Sequence, residues 1–467
     1  MHPILLEALR ERQESGRPVR VALIGAGRFG TTVAAQLGQM PALRLSVVCD
    51  VREESARGAW EAYGGGGSAG RVFAETVLSA RGAPERVATA VDEGRPISTD
   101  DVAAAVSAPV DVVVEATGRP EIAARTALGA IRARHHVVMV TVEADVLLGS
   151  LLRRYADEAG VVYTLTDGDQ PGVIKRLCDW VSALGYEIVA AGRGTRFYPS
   201  DAAGVPEEAF QRYGYDDELV TRRRFNAQMY NSFRDGSKAQ VEMCALANVT
   251  GLVPDRRGMH EPAVGVSTLA RRFALQADGG LLSQSGVVEL ANCVGPDGQD
   301  LPDGIASGVF VVLRTANPIL AEDLPFYGLP GLSVASGAGG YAAFWRPFHL
   351  CGIETPFSIA EAALLGRATA APRRLPVADV IAVAKRDLRA GDVLDGSGGR
   401  NVRGVIERAE VARAGGFLPE GLADRVPLRR DVKAGEPITY AMVDLSEDSL
   451  AVQLRRKLEN SEATERI

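Results

Sequence analysis

The sequence predicts an α/β protein with an N-terminal doubly wound parallel sheet, a middle α/β region of α+β character and a small, mostly-β C-terminal region. In the first 160 residues, short β-branched runs alternate with helical patterns, as in a parallel sheet covered by helices. The 467 residues exceed one compact core, since single cores stop growing near roughly 250–300 residues. Two similar β-rich segments after residue 376 predict a separate C-terminal module.

The composition is that of an ordinary globular protein. The chain is 46% hydrophobic and 24% charged, and no apolar run reaches the roughly 18–20 residues that cross a bilayer. The formal net charge is −7 and the basic residues are scattered, which does not favour nucleic acid or an anionic membrane as a partner. We expect a soluble protein that binds a small molecule.

The cysteines and histidines form neither a disulfide framework nor a metal site. Five cysteines lie far apart without a CxxC pair, which is typical of reduced, buried thiols in a cytoplasmic protein. His135 and His136 are adjacent, so on a strand they point to opposite faces. The sequence therefore predicts a cytoplasmic protein without a structural metal.

A glycine-rich turn near the N-terminus is the strongest functional motif. A β-branched run at 19–24 ends in GAGRFG at 25–30, a helical pattern follows, and Asp50 ends the next apolar run, 20 residues after Gly30. A bare GxGxxG is weak evidence, but a preceding strand, a following helix and a later acidic residue are its context in dinucleotide-binding Rossmann domains. The alternative is a glycine-rich turn in a nucleotide-free domain of the same class.

Each glycine of this turn has its own physical role. Gly25 permits the tight turn, Gly27 lets a pyrophosphate approach the backbone, and Gly30 lets helix and strand pack closely. Asp50 can accept hydrogen bonds from ribose hydroxyls, which favours NAD over NADP, although Arg52 can bind a 2′-phosphate. Residues after two later strands lie at the same edge of the sheet, and the predicted cofactor contacts are Gly25, Gly27, Arg28, Phe29, Gly30, Asp50, Arg52, Thr117, Gly118 and Glu143.

The segment 231–251, NSFRDGSKAQVEMCALANVTG, is the best candidate for the chemistry. On a helix starting near Asp235, the side chains of Asp235, Lys238 and Glu242 share one face. A lysine beside carboxylates can give or take the proton of a substrate hydroxyl or carbonyl during hydride transfer. Alternatively, Asp235 caps the helix and Lys238 forms a solvated pair with Glu242, and the residues alone favour neither interpretation.

Two further pairs are candidates for substrate contacts. Arg193 and Arg196 close a predicted strand and can hold an anionic group through bidentate hydrogen bonds, although surface arginines are common. The turn TDGDQPG carries Asp169 and Gln170 after another strand. We assign these four residues to substrate binding.

The rest of the chain supplies the remaining boundaries. Residues 1–18 predict a short docking helix, and the glycine run within 64–97 predicts an inserted surface loop with a helix. RDLRAGD at 386–392 recurs as RDVKAGE at 430–436, and each copy predicts a strand, a turn and a strand. We expect a small β domain over 375–445, and the tail at 446–467 predicts a charged helix or a frayed end.

Motifs along nearly the whole chain carry a family resemblance: VALIGAGRFG, VVVEATG, VTVEADVL, DGDQPGVI, NSFRDGSKAQVEM, NVTGLVPD, RPFHLCGIETP and AVAKRDLRAGDVLDGSGG. Together they resemble the homoserine dehydrogenase-like oxidoreductases with a C-terminal SAF domain, the group that includes the 1-deoxy-D-xylulose 5-phosphate reductoisomerase-like enzymes. The resemblance implies a Rossmann domain over 19–160, a substrate-binding and oligomerisation domain over 161–374 and an SAF-type module over 375–445.

The resemblance also bears on individual residues. It favours Lys238 as the catalytic proton donor or acceptor, with Asp235 and Glu242 orienting it. Homoserine dehydrogenases have Asn-Lys where this chain has Val142 and Glu143, which argues against homoserine as the substrate. Relatives tend to have lysine where Arg193 stands, and the two side chains are not interchangeable in an anion contact.

These observations predict reversible hydride transfer between NAD or NADP and a small polar hydroxy or oxo compound, including phosphorylated ones, in a cleft between the first two domains. One alternative is reductoisomerisation, which in the conventional enzymes needs a divalent metal. Another is a non-catalytic dinucleotide-binding sensor or assembly protein. We expect a homodimer or homotetramer.

Overall fold

A computed structural model describes residues 3–223, 225–333 and 339–465. The chain forms two compact units, and neither is continuous in sequence. Unit 1 comprises Met1–Gly172, Leu350–Arg374 and Glu447–Ile467, and unit 2 comprises Val173–His349 and Leu375–Ser446. The predicted boundaries after residues 374 and 445 lie at or next to points where the chain changes unit. The region predicted as a third domain lies inside unit 2.

The strands include two that agree residue for residue with the apolar runs of the sequence, at 19–24 and 43–49. In chain order the strands are β1 (Val19–Ile24), β2 (Leu43–Cys49), β3 (Leu78–Ser79), β4 (Ile97–Thr99), β5 (Val112–Glu115), β6 (His136–Met139), β7 (Tyr163–Leu165), β8 (Glu187–Thr195), β9 (Val253–Pro254), β10 (Val287–Asn292), β11 (Val309–Thr315), β12 (Gly331–Ser333), β13 (Gly340–Arg346), β14 (Ala378–Ala384), β15 (Val393–Asp395), β16 (Val402–Arg408) and β17 (Asp424–Pro427).

The helices alternate with these strands through the first part of the chain. In chain order they are α1 (Pro3–Glu14), α2 (Arg28–Leu37), α3 (Glu53–Tyr63), α4 (Gly67–Glu75), α5 (Pro84–Asp92), α6 (Val102–Ser107), α7 (Pro120–Arg132), α8 (Val142–Ala159), α9 (Gln170–Ala183), α10 (Ala209–Tyr213), α11 (Asp217–Arg223), α12 (Ala227–Arg234), α13 (Ser237–Thr250), α14 (Leu269–Arg272), α15 (Pro318–Phe326), α16 (Thr355–Leu365), α17 (Ala409–Ala414) and α18 (Leu450–Glu465).

Unit 1 is built on a seven-stranded sheet with the order β3-β4-β2-β1-β5-β6-β7. Every neighbouring pair in this sheet is parallel, which confirms the predicted α/β class. Strand β2 lies on one side of β1, and β5 lies on the other side. The carboxyl ends of β1 and β5 therefore flank the point where the strand order reverses, the usual ligand position in such sheets.

The glycine-rich insertion differs from its prediction. In place of a surface loop with one helix, residues 64–97 contain α4, α5 and the edge strand β3, which pairs with β4. The glycine run ends where α4 begins at Gly67. The aromatic rings of Trp60 and Tyr63 lie 5.7 and 5.6 Å from that of Phe73 on α4. This aromatic cluster gives α4 an apolar anchor that the glycine-rich composition does not reveal.

Three helices from distant parts of the chain complete unit 1. Leu5 of α1 is buried, and α1 packs against α16. The carboxylate of Glu121 on α7 accepts hydrogen bonds from Ser449 Oγ at 2.8 Å and from the N–H of Ala451 at 2.9 Å. A carboxylate at a helix N-terminus stabilises the helix dipole, so the charged C-terminal tail forms the docked helix α18 as far as residue 465.

Unit 2 contains a mixed six-stranded sheet with the order β12-β13-β11-β8-β10-β9. Strands β8, β9 and β10 are parallel, and β11 pairs antiparallel with β8 and β13. Helix α13 packs against β8 and β10. Phe273 and Phe310 stack at 5.2 Å in a buried core of this unit.

The internal repeat folds into two copies that pair with each other. Leu388 and Val432 exchange backbone hydrogen bonds of 2.8 and 3.0 Å across an antiparallel bridge. Asp387 accepts the N–H of Ala434, and the equivalent Asp431 accepts the N–H of Ala390. Together with the antiparallel pairs β14–β16 and β15–β17, this reciprocal contact confirms a mostly-β C-terminal region; its SAF-type assignment stays a prediction.

None of the helices that the structure describes is both long and apolar enough to cross a membrane. Across the same residues, the five cysteines form no disulfide; four are buried and Cys351 is half-buried.

Candidate functional site

The glycine-rich turn joins the buried strand β1 to helix α2. Gly25 has φ +93°, and a Cβ at this position would lie 2.6 Å from the carbonyl oxygen of Ala116. A Cβ at Gly30 would lie 2.1 Å from the carbonyl oxygen of Gly25. Both positions therefore require glycine, one for its backbone conformation and contact with the end of β5, the other for close packing of helix on turn.

Gly27 differs from its two neighbours in the motif, because a Cβ there would meet nothing within 4 Å. It is the N-cap of α2 and no side chain caps this helix. The first N–H groups of a helix lack intrahelical acceptors and attract anions. The turn therefore fits a dinucleotide pyrophosphate, which would occupy the space that a side chain at this position would fill.

Asp50 lies at the carboxyl end of β2 beside this turn. Its carboxylate accepts the N–H of Ala26 at 2.9 Å and that of Arg52 at 2.8 Å. The side chain is 11% exposed, and Arg52 Nε lies 3.9 Å from it. Each carboxylate oxygen accepts more than one hydrogen bond, so Asp50 can orient the turn and still accept a ribose hydroxyl. Arg28 is exposed, and Phe29 packs against the core of unit 1.

The ends of β5 and β6 form the other side of this edge. The N–H of Thr117 donates to Glu115 Oε1 at 2.9 Å, and the N–H of Gly118 donates to Thr141 Oγ1 at 2.9 Å. Burial raises the pKa of Glu115, and the hydrogen bonds from Thr117 oppose that rise. Sequence reasoning did not select Glu115, although a carboxylate that ends a buried apolar run was a usable signal. Glu143 is half-buried on the first turn of α8.

A second buried carboxylate, Asp145, also lies on the first turn of α8. Tyr163 donates its hydroxyl to Asp145 Oδ1 at 2.9 Å. Burial raises the pKa of Asp145 to about 7, and this hydrogen bond opposes the rise.

The turn after β7 lies beside a segment that is distant in sequence: Asp169 and Cys351 are 182 residues apart. Asp169 and Gln170 are buried, and the thiol of Cys351 lies 3.7 Å from Asp169 Oδ1. Gly352 has φ +78°, and a Cβ there would lie 2.9 Å from the Thr32 side chain on α2. The segment at 350–354 therefore lies against α2, the helix that follows the glycine-rich turn. The sequence pattern carried no signal for this contact.

The three residues predicted for proton transfer have different surroundings from those expected. Gly236, with φ +85°, separates α12 from α13, so α13 starts at Ser237 and Asp235 belongs to the end of α12. The Asp235 carboxylate lies 2.5 Å from Lys385 Nζ. Burial raises the pKa of Asp235, and the Lys385 ammonium opposes that rise. Lys238 is half-buried on the first turn of α13.

The predicted anion clamp is engaged within the protein. Arg193 on β8 forms an ion pair with the buried Glu242 and donates from Nε to the carbonyl oxygen of Gly194 at 2.9 Å. Arg196 pairs with Asp300 at the surface. Both contacts join residues at least 49 positions apart, which is why local patterns do not reveal them.

A strained loop of unit 2 adds a carboxylate that sequence reasoning missed. Met259 and Glu261 have φ values of +64° and +48°, although neither is glycine. Thr195 on β8 donates to Glu261 Oε1 at 2.9 Å, and burial raises the pKa of Glu261 to about 7. Between Met259 and Glu261, His260 Nδ1 lies 2.6 Å from Glu289 Oε1. Backbone strain of the kind found at Met259 and Glu261 is concentrated at functional sites. Within the described ranges, no three His, Cys, Asp or Glu side chains are grouped to hold a metal.

Two family models match consecutive parts of the chain. Residues 25–165 match the NAD binding domain of homoserine dehydrogenase, and residues 168–355 match the catalytic domain of oxidoreductase DRL. The first match contains the glycine-rich turn, and the second contains Lys238, Arg193 and Glu261. No curated protein matches the sequence.

Solved structures that this chain partly matches include scyllo-inositol dehydrogenase from Lactobacillus casei with bound NAD(H) and scyllo-inositol, at 13% identity and a TM-score of 0.33, covering 63% of this chain and 73% of that one. The WlbA dehydrogenase from Bordetella pertussis, in complex with NADH and UDP-GlcNAcA, has 13% identity and a TM-score of 0.33, covering 64% and 79%. The two family models together match an NAD-binding domain of the homoserine dehydrogenase type followed by an oxidoreductase catalytic domain of the DRL type. The chain is an NAD(P)-dependent oxidoreductase.

Proposed function

We propose that the chain catalyses reversible hydride transfer between NAD(P) and a small polar hydroxy or oxo compound, and that Lys238 carries the proton. The supporting observation is the charged surroundings of α13. This helix carries two charged side chains, Lys238 and Glu242. Glu242 is buried and paired with Arg193, whereas Lys238 is half-buried and therefore within reach of a ligand.

The first turn of α13 is held firmly, which a proton-transfer residue requires. The N–H of Ser237 donates to Asp235 Oδ1 at 2.8 Å, and the N–H of Gly404 donates to Ser237 Oγ at 2.9 Å. Asp235 is itself anchored by Lys385. These contacts fix the backbone from which the Lys238 side chain extends, so Asp235 acts as a positioning residue.

The proton balance of the reaction is simple. In the oxidative direction, the substrate hydroxyl gives its proton to the neutral amine of Lys238 while its carbon gives up a hydride. A dinucleotide held by the glycine-rich turn and Asp50 would supply the acceptor for that hydride. In the reductive direction, the ammonium of Lys238 donates a proton to the carbonyl oxygen as the carbon receives the hydride.

Lys238→Ala tests this role. Proton transfer by a positioned side chain contributes about 10²–10⁴-fold, so we expect turnover to fall by at least about 100-fold. The measurement is the nicotinamide absorbance change with a panel of polyols, hydroxy acids and sugar phosphates. The control is Lys175→Ala, because Lys175 pairs with Asp179 within α9; it should keep full turnover. If Lys238→Ala keeps turnover within a few-fold, the lysine is not the proton carrier. If the unmodified protein binds NADH but turns over none of these compounds, a dinucleotide-binding sensor is favoured.

We further propose that Asp50 makes NAD the preferred cofactor. Its carboxylate repels a 2′-phosphate and can accept the ribose hydroxyls. We expect NADH to bind at least about ten-fold more tightly than NADPH, about 1.4 kcal/mol, in fluorescence titrations. Asp50→Asn removes the charge and keeps an acceptor for the N–H of Ala26. It should therefore reduce the difference between the NADH and NADPH affinities. Equal affinities of the unmodified protein for both cofactors would refute the assignment.

A further inference from the structure

The loop after β9 runs beside β16 and contacts side chains on one face of the β14–β16 pair. Arg257 Nε lies 2.6 Å from Glu407 Oε2, and the N–H of Gly258 donates to the carbonyl oxygen of Ile406 at 2.9 Å. A Cβ at Gly258 would lie 3.4 Å from Val405 Cγ1. Successive residues of the loop thus pass successive residues of β16, toward the start of the strand.

Residue alternation places Arg403 on this same face. Residues two apart on a strand share a face, so Arg403 follows Glu407 and Val405 along β16. The loop next reaches Glu261. Burial raises the pKa of this carboxyl group, and the hydrogen bond from Thr195 and the charges of Arg403 and Arg193 oppose that rise. The charges of two guanidinium groups, one on β8 and one on β16, therefore act on the same carboxyl group.

The backbone beside Arg403 is fastened to α13. The N–H of Gly404 donates to Ser237 Oγ at 2.9 Å, and the N–H of Ile406 donates to Gln240 Oε1 at 3.0 Å. The strand that carries Arg403 is thus fixed along the first turns of the helix that carries Lys238.

Arg403 differs from the arginines around it in its bonding. Arg193 is paired with Glu242, and Arg196 with Asp300. Arg403 is half-buried, yet its guanidinium forms no hydrogen bond or ion pair with any residue in the described ranges. A guanidinium has five N–H donors in a planar fork that matches carboxylate and phosphate groups. None of the Arg403 nitrogens is among the buried polar atoms that lack a partner in the part of the chain that the structure describes, so its donors are open to solvent and accessible to an anionic ligand.

We propose that Arg403 binds an oxyanion of the substrate, a carboxylate or a phosphate, and that the C-terminal β region thereby contributes a binding residue to the site of Lys238. This inference builds on the proposed function and gives it a substrate class. Arg403 lies outside both segments matched by family models. Glu261, held by Thr195, limits the positive charge of the site in the absence of the oxyanion.

The test is calorimetric titration of the full chain with inorganic phosphate and, separately, with acetate, at constant ionic strength and with saturating NADH. We expect Arg403→Met to weaken binding of the preferred anion at least about ten-fold, equivalent to about 1.4 kcal/mol, and Arg403→Lys to recover part of the loss. The control is Arg400→Met, which removes the same charge from a surface pair with Glu207 and should bind like the unmodified protein. A difference between phosphate and acetate identifies the group that is recognised.

Equal anion binding by Arg403→Met and Arg400→Met would overturn the proposal and leave Arg403 only a counter-charge for Glu261. Since both arginines belong to unit 2 and the glycine-rich turn belongs to unit 1, the fold of each variant is verified by an unchanged midpoint of chemical denaturation of the full chain. If Arg403→Met does not fold, Arg403→Lys tests the proposal instead. This variant keeps the charge but loses the planar guanidinium, so anion binding must still be weaker than in the unmodified protein. This assay needs no turnover, so the anion site can stand even if Lys238→Ala excludes the lysine as proton carrier.

Discussion

Replacing Lys385 by methionine should lower the free energy of unfolding by about 3–5 kcal/mol, the usual cost of removing one partner of a buried ion pair. The Lys385 side chain is 1% exposed and that of Asp235 is 0% exposed. The ammonium lies 2.5 Å from Asp235 Oδ2 and also donates to the carbonyl oxygens of Gly204 and Gly399, at 3.0 and 2.5 Å. Without it, a buried carboxylate and two carbonyl groups lose their cation together.

Chemical denaturation of the full chain measures this effect. Lys433→Met is the matched control, because Lys433 also pairs with an aspartate, Asp387, but at the surface, and its midpoint should not change. The double variant Lys385→Met with Asp235→Asn removes both charges and should recover much of the loss, since a neutral pair carries no uncompensated buried charge. Equal midpoints for Lys385→Met and Lys433→Met would show that the buried pair contributes little.

Gly30→Ala and Gly27→Ala should separate folding from cofactor binding. At Gly30 the new Cβ would lie 2.1 Å from the carbonyl oxygen of Gly25, and such overpacking costs typically about 1–3 kcal/mol. Both the unfolding midpoint and the NADH affinity should fall. At Gly27 the Cβ enters open space at an ordinary φ of −71°, so the midpoint should hold while NADH binding weakens about ten-fold or more, equivalent to about 1.4 kcal/mol.

Fluorescence titration with NADH and thermal unfolding of the same samples measure the two quantities. If Gly27→Ala binds NADH as tightly as the unmodified protein, the pyrophosphate does not lie against this residue. If Gly30→Ala keeps both properties, the helix has room to shift and the close contact is not essential.

Local patterns predicted the parts of the molecule that depend on nearby residues. The bounds of β1 and β2 follow from their β-branched runs, and the glycine-rich turn lies between strand and helix as expected. The structure of the insertion at 64–97 could not be predicted from local patterns, because α4 is anchored by an aromatic cluster with residues of α3. Glycine content alone favours a loop, and packing overrides it.

The surroundings of the candidate catalytic residues depend on partners far along the chain. Asp235 pairs with Lys385, 150 positions away, and Glu242 pairs with Arg193 across 49 positions. Helical periodicity places Lys238 and Glu242 on one face, but it cannot reveal a partner on another element. A left-handed Gly236 also ends one helix and starts the next, so the predicted common face of three residues is wrong for Asp235.

The discontinuity of unit 1 has a consequence for biosynthesis. Helices α16 and α18 belong to the same unit as the glycine-rich turn and are made some 330 and 420 residues after it. At about 5–20 residues per second, roughly 20–80 s separate the synthesis of the turn from that of α18. Meanwhile the surfaces of α7 and α8 that α18 covers with Ala451, Leu454 and Leu458 stay open. The newly made chain therefore passes through a long period in which its nucleotide-binding half exposes apolar surface to chaperones and to other nascent chains.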